Sequence, residues 1–139
     1  MAKEVGKSKD AGYQFGLRKT FALSKQQVWD FMFSEEGLAI WLGELTDDLE
    51  LKNTYHTKEG VEGLVRVFEP DSHVRMSWKK KEWKNSSTVQ VRIIPKAQNK
   101  TVISFLHEKL TNAKQRLEMK AYWNDKMSRI SELLEKTDS

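Results

Sequence analysis

Apolar and polar residues recur along the chain with two different periods, and the places where the period changes mark out the elements. From Tyr13 to Leu23 the period is two: Tyr13, Phe15, Leu17, Lys19 and Phe21 share one side of an extended chain. That predicts a first strand whose inner face is broken only by Lys19. Ser24-Lys25-Gln26-Gln27 then fits a capping box, and Val28, Trp29, Phe31, Met32 and Phe33 give the helix behind it a wide apolar surface. Ser34 can cap a second short helix bearing Leu38, Ile40, Trp41 and Leu42, with Gly43 ending it.

From Glu50 to Leu110 the period returns to two, in short runs between turn residues. The runs are Thr54–Lys58, Val61–Glu69, His73–Lys81, Ser87–Ile94 (closed by Pro95) and Lys100–Lys109. Such spacing predicts an antiparallel meander. Val74, Met76 and Trp78 share a face, as do Val89, Val91 and Ile93, and as do Ile103, Phe105 and His107. Arg75, Ser77, Lys79, Gln90 and Arg92 lie opposite, so one side of the sheet is wet and the other covered. The cover is the last segment. Between Thr111 and Thr137 there is neither Pro nor Gly, and Met119, Trp123, Met127, Ile130 and Leu134 form one helical stripe with Lys120, Asn124, Arg129 and Glu132 outside it. At roughly 1.5 Å per residue this helix is long enough to cross the meander.

The pattern therefore predicts an α+β fold: a curved antiparallel sheet of six or seven strands, two short helices after the first strand, and a long C-terminal helix packed across the sheet. Residues 1 to 11 show no period and are expected as a flexible tail, leaving 12 to 139 as one domain.

Composition narrows the function classes. Five Trp, six Phe and three Tyr in 139 residues supply a core, while the absence of Cys removes disulfides, thiolate zinc sites and a cysteine nucleophile. No stretch reaches the roughly 18 apolar residues of a membrane span, and no signal-peptide run opens the chain, so a soluble cytoplasmic protein is expected. The net charge of +4 is too small for a nucleic-acid binder. The one basic cluster, Lys79-Lys80-Lys81-Glu82-Trp83-Lys84, reads first as a solvated strand end and turn, and second as a docking surface for acidic groups. Glycine-rich phosphate loops and a G-x-S-x-G elbow are missing, and His56, His73 and His107 have no second metal ligand at zinc spacing. No metal, cofactor or catalytic residue is expected on these grounds.

The order of elements resembles the helix-grip fold, and particular residues sharpen the likeness. Val28-Trp29 and Trp41-Leu42-Gly43 resemble the opening helices of the activators of heat-shock protein 90 ATPase and their bacterial homologues, within the START-like superfamily. Gly63-Leu64-Val65, Pro70 and Val74-Arg75-Met76-Ser77-Trp78 are similar to that family's central hairpin; Thr101 to His107 resembles its last strand, and Trp123 a Trp of its closing helix. The chain departs from the family at Leu51-Lys52-Asn53-Thr54, where bacterial members often carry paired glycines, and after Trp41, where the usual proline is lacking. The resemblance implies a cavity between sheet and closing helix that holds an apolar or aromatic small molecule or lipid.

The residues placed at that cavity are Trp41, Tyr55, Met76, Trp78, Phe105, His107, Met119, Trp123 and Met127. Each also has a structural explanation. Helical or strand spacing makes the tryptophans core, methionines fill gaps, and His107 can simply hold the closing helix to a backbone carbonyl. Tyr55 and His107 are the polar partners a ligand would find. Three readings stand: a non-enzymatic monomeric binder of an apolar ligand, a co-chaperone-like interaction module with a chaperone as partner, and a cyclase- or hydratase-like enzyme using His107 and Tyr55. An interior filled by its own rings favours recognition at the surface.

Overall fold

The computed structural model describes residues 7–8 and 12–137. The tail expected over residues 1 to 11 lies outside the described residues except for Lys7–Ser8, which form the two-residue strand β1. β2 (Gly12–Phe21) leads into α1 (Lys25–Met32) and α2 (Glu35–Trp41). Then follow β3 (Thr54–His56), β4 (Glu62–Glu69), β5 (His73–Trp78), β6 (Ser87–Ala97), β7 (Lys100–Leu110) and the long helix α3 (Ala113–Thr137).

Local chemistry accounts for the helix starts. The Gln27 N–H donates to Ser24 Oγ at 3.2 Å and the Ser24 N–H to Gln27 Oε1 at 3.0 Å, closing the capping box at α1. Ser34 accepts the Gly37 N–H at 3.0 Å and opens α2. The five stripe residues of α3 are all buried, and its outer positions Lys120, Asn124, Arg129 and Glu132 are exposed.

The sheet has the order β1-β2-β7-β6-β5-β4-β3 with every neighbouring pair antiparallel. Register shifts within the β2/β7, β4/β5 and β6/β7 pairs mark bulges that curl it. α3 crosses its covered face against β2 and β7 and meets α2, while α1 packs beside β6 and β7. The fold is the helix-grip architecture.

Two features differ from the sequence reading for physical reasons. β6 runs through Pro95 to Ala97 instead of stopping before the proline. β5 pairs with β6 only as far as Arg92, so at Pro95 no neighbour on that side asks for an N–H. In the lysine-rich run, Trp83 turns inward and packs edge-on against Trp78 at 5.3 Å while Lys81, Glu82 and Lys84 stay exposed. Lys19, the interruption on β2's inner face, lies under the end of α3, where it donates to Ser131 Oγ and pairs with Glu135 at 3.4 Å.

Gly63 shows how tightly β4 and β5 approach. A Cβ there would stand 1.9 Å from the Ser77 carbonyl oxygen and 2.8 Å from the Tyr55 ring, so only glycine fits. Among the described residues, no helix is long and apolar enough to cross a membrane.

Candidate functional site

The nine residues singled out for a cavity come from every layer: Trp41 from the end of α2, Tyr55 from β3, Met76 and Trp78 from β5, Phe105 and His107 from β7, and Met119, Trp123 and Met127 from α3. The structure brings them together, and all nine are buried. They pack on one another. Phe105 stacks on Trp123 at 4.6 Å, Trp41 tilts against Phe105 at 6.2 Å, and His107 meets Trp78 edge-on at 4.9 Å. None of them lines the surface clefts that open beside α2, β3–β4 and α3. These ring contacts run through the layer between the sheet and α3 where the cavity is expected.

Their polar atoms are largely spoken for. The Trp41 indole donates to the Met32 carbonyl at 2.7 Å and the Tyr55 hydroxyl to the Ser77 carbonyl at 2.6 Å. Burial raises the Tyr55 hydroxyl far above its ordinary range, so it remains a donor at any working pH.

His107 sits in a relay whose proton positions follow from donor chemistry. An indole N–H can only donate, so Trp123 Nε1 at 3.0 Å makes His107 Nδ1 the acceptor. The neutral ring then carries its proton on Nε2 and donates to Ser87 Oγ at 2.7 Å; Ser87 in turn donates to the Trp78 carbonyl at 2.6 Å. Burial pulls His107 down to about 3, so the ring stays neutral. Both ring nitrogens of His107 are thus engaged within the protein. The arrangement ties α3 to β7, β6 and β5, and works as a structural clamp.

Among the described residues, one buried side-chain polar atom is left over. Trp78 Nε1 meets no acceptor, although its ring is enclosed by Trp83, His107 and Tyr122. Tyr122 leads outward to a cleft of about 390 Å³ where four segments converge: the end of α2 (Ala39, Leu42, Gly43), the turn at Glu59–Val61, the loop at Lys80–Glu82, and α3 (Tyr122, Lys126, Arg129). The backbone of Gly43 makes this junction possible: its φ is +131°, and a Cβ would lie 2.6 Å from Glu59 Oε1. The lining carries Lys80, Lys81, Lys126 and Arg129 against Glu59 and Glu82, an excess of positive charge around an aromatic ring. Lys126 Nζ lies 4.7 Å and Lys80 Nζ 6.0 Å from the Tyr122 centroid. Burial, then repulsion from Arg129, lowers the Lys126 ammonium below its ordinary value. Burial, helped by Glu59 and Asp125, pushes the Tyr122 hydroxyl up to about 12.

Tyr122 and Lys126 are absent from the residues that the sequence pattern singles out. The signal is there nonetheless: Tyr122, Lys126 and Arg129 form a stripe displaced by one residue from the buried Trp123, Met127 and Ile130. On the other side of α2 a second cleft, of about 1130 Å³, is floored by Phe33, Leu38, Leu45 and Leu49 and rimmed by carboxylates that include Asp47 and Asp48. Among the described residues, no group of three or more His, Asp or Glu is placed to hold a metal ion.

Comparison with known proteins now adds to the geometry. Residues 22–135 match the model of the family described as "Activator of Hsp90 ATPase homolog 1-like protein". No curated protein matches the chain. Among solved structures it is similar to DynU16, of the dynemicin biosynthetic locus, with a TM-score of 0.78 at 16% identity. That alignment covers 88% of this chain and 47% of the other, so the chain spans about half the length of DynU16. CalU16 from Micromonospora echinospora is similar with a TM-score of 0.74 at 19% identity, over 84% of this chain and 71% of that one. An HSP90 activator from Plasmodium falciparum, PFC0360w, is similar with a TM-score of 0.73 at 16% identity, over 87% and 95%. At such identities the likeness is one of fold.

Proposed function

The chain belongs to the Activator of Hsp90 ATPase homolog 1-like family, and from that premise we propose that it is a non-catalytic recognition domain of the co-chaperone kind, which docks an acidic surface of a partner chaperone. Residues 12–139 act in this reading as one monomeric domain. The observation that carries it is the lysine-rich loop beside α3. Lys81 and Lys84 stand exposed around an inward-turned Trp83, and Lys126 and Arg129 extend the same positive field onto the helix. Two further observations support it. The interior is packed by its own rings, and His107 and Tyr55, the groups an enzyme or a ligand would use, already have partners.

An apolar or aromatic molecule or lipid under α3, the alternative use of this fold, would require Phe105 and Trp123 to unstack first. Recognition at the surface needs no such rearrangement.

The test is a pull-down of heat-shock protein 90 from the source cell by the full chain at two ionic strengths. Capture at about 50 mM salt that is lost near about 500 mM, and weakened by Lys81→Glu with Lys84→Glu, is the expected result for a screened charge contact. Absence of capture at the lower salt, with the chain folded, rejects the reading.

A further inference from the structure

The cleft beside α3 has features that a flat docking surface does not require. It is concave, it has an aromatic wall, and its volume of about 390 Å³ falls within the range of small-molecule sites. Its cations are not equivalent. Lys80 is neutralised by Glu118, and Arg129 shares Asp125 at 3.3 Å. Lys126 is half withdrawn from water and makes no ion pair among the described residues. Glu59 on the facing wall is held by the Glu44 N–H at 3.0 Å, and Glu82 lies at the exposed rim. Asp125 and Glu59 attract Lys126 only from beyond ion-pair distance, so burial still disfavours its charge, and an arriving anion relieves that. Leu42 and Val61 supply buried apolar wall opposite Tyr122. The Tyr122 ring meets that of Trp78 edge-on at 5.7 Å, and Trp78 Nε1 has no acceptor among the described residues. Buried donors without acceptors are rare enough in folded proteins to mark a place where a polar group belongs.

We propose that this cleft binds a small carboxylate with a flat apolar body, the carboxylate held between Lys126 and Arg129 and the body lying along Tyr122, Leu42 and Val61. An acceptor atom at the ligand's inner end would reach Trp78 Nε1 once the Tyr122 ring turns aside. The proposal does not rest on the docking of a chaperone. It needs only the concave site, and a free small molecule is its ligand, not an acidic chain segment.

The experiment titrates the full chain with 6-hydroxy-2-naphthoate, whose hydroxyl oxygen is the inner acceptor, with the neutral 6-hydroxy-2-naphthamide and with a hexaglutamate peptide, following amide and indole N–H resonances and calorimetric affinity. Naphthoate is expected to shift residues 42–43, 61 and 122–129 together with the Trp78 indole, and to bind at least about tenfold more tightly than the amide. Lys126→Met is expected to remove that preference, so that the acid and the amide bind alike. Arg129→Gln, at an exposed position, gives the same readout should the first variant fail to fold. Equal affinity for the acid and the amide, shifts confined to other faces, or binding of the peptide alone would overturn the proposal. Naphthoate binding without capture of a chaperone leaves this site standing and removes the docking reading, and peptide binding alone does the reverse.

Discussion

The indole N–H of Trp123 on α3 donates to Nδ1 of His107 on β7 across 3.0 Å. This contact joins the closing helix to the sheet and also sets the imidazole's tautomer, because it leaves Nε2 as the ring's only donor. Strand spacing turns His107 toward the closing helix, and its bonds there report on how well the fold is closed.

The first consequence is a pH dependence of stability. Above the ordinary histidine value of 6.5, His107 is neutral in both the folded and the unfolded chain; below it, the unfolded chain takes up a proton that the folded chain refuses until about 3. The contribution of His107 is therefore complete above about 6.5 and lost as the pH falls toward 3, by at most about 1.4 kcal/mol per pH unit. Urea denaturation between about pH 7 and 5, where most carboxylates remain ionised, should show the wild-type midpoint dropping and His107→Phe following a flatter line. Parallel lines for the two proteins would refute it.

Three buried indoles permit a controlled comparison. Trp123 donates to His107, Trp41 to the Met32 carbonyl at 2.7 Å, and Trp78 to nothing. Substitution of each by Phe removes a similar volume, so the differences reflect the hydrogen bonds. Trp78→Phe should be the mildest, by about 1 kcal/mol relative to the other two, in denaturant titrations of all three variants. If Trp78→Phe proved the most damaging, its N–H would have a role that the packing does not reveal.

Gly63 and Gly16 both lie within strands and should respond differently to Ala. At Gly63 the added methyl would collide with the Ser77 carbonyl at 1.9 Å, forcing β4 away from β5, whereas at Gly16 it would meet only ordinary contacts at 3.8 Å. Gly63→Ala is expected to lose more than about 3 kcal/mol or fail to fold, and Gly16→Ala to change stability by less than about 1 kcal/mol. Thermal melts of the pair decide it, and equal effects would contradict the observed strand approach.

The capping box at α1 offers a smaller test. Ser24→Ala removes the acceptor of the Gln27 N–H and should lower stability by about 1 kcal/mol, while Ser24→Asp, which keeps an acceptor, should recover most of it. Chemical denaturation of both variants measures the difference. No recovery with Asp would mean that the serine acts through something other than its cap.

How much of this is legible in the sequence depends on how local the determinant is. The α3 stripe is readable because a helix buried on one side must repeat near 3.6 residues, and Met119, Trp123, Met127, Ile130 and Leu134 all prove buried. Ser24 and Ser34 are readable because a cap is a contact over three residues. The passage of β6 through Pro95 is not, since it depends on where β5 stops. The burial of Trp83 amid lysines is hidden for a similar reason, its partner Trp78 being set by the path of the intervening loop. Least readable is the cationic cleft. It is assembled from four separated segments whose lysines, taken one at a time, look like ordinary solvated surface. Whether nine inward-facing residues leave a hollow or fill it is decided by side-chain packing, which periodicity does not encode.

The sheet order carries one last implication, for synthesis. β2 lies between β1 and β7, so Phe21 finds its neighbour in Thr101, eighty residues further on. A ribosome delivers the earlier strand long before its mate exists, and that strand's greasy side must wait uncovered until β7 and α3 have emerged. Folding of this domain is thus expected to be completed only after α3 has left the ribosome, and the half-made product is itself a natural client for the cell's holding machinery.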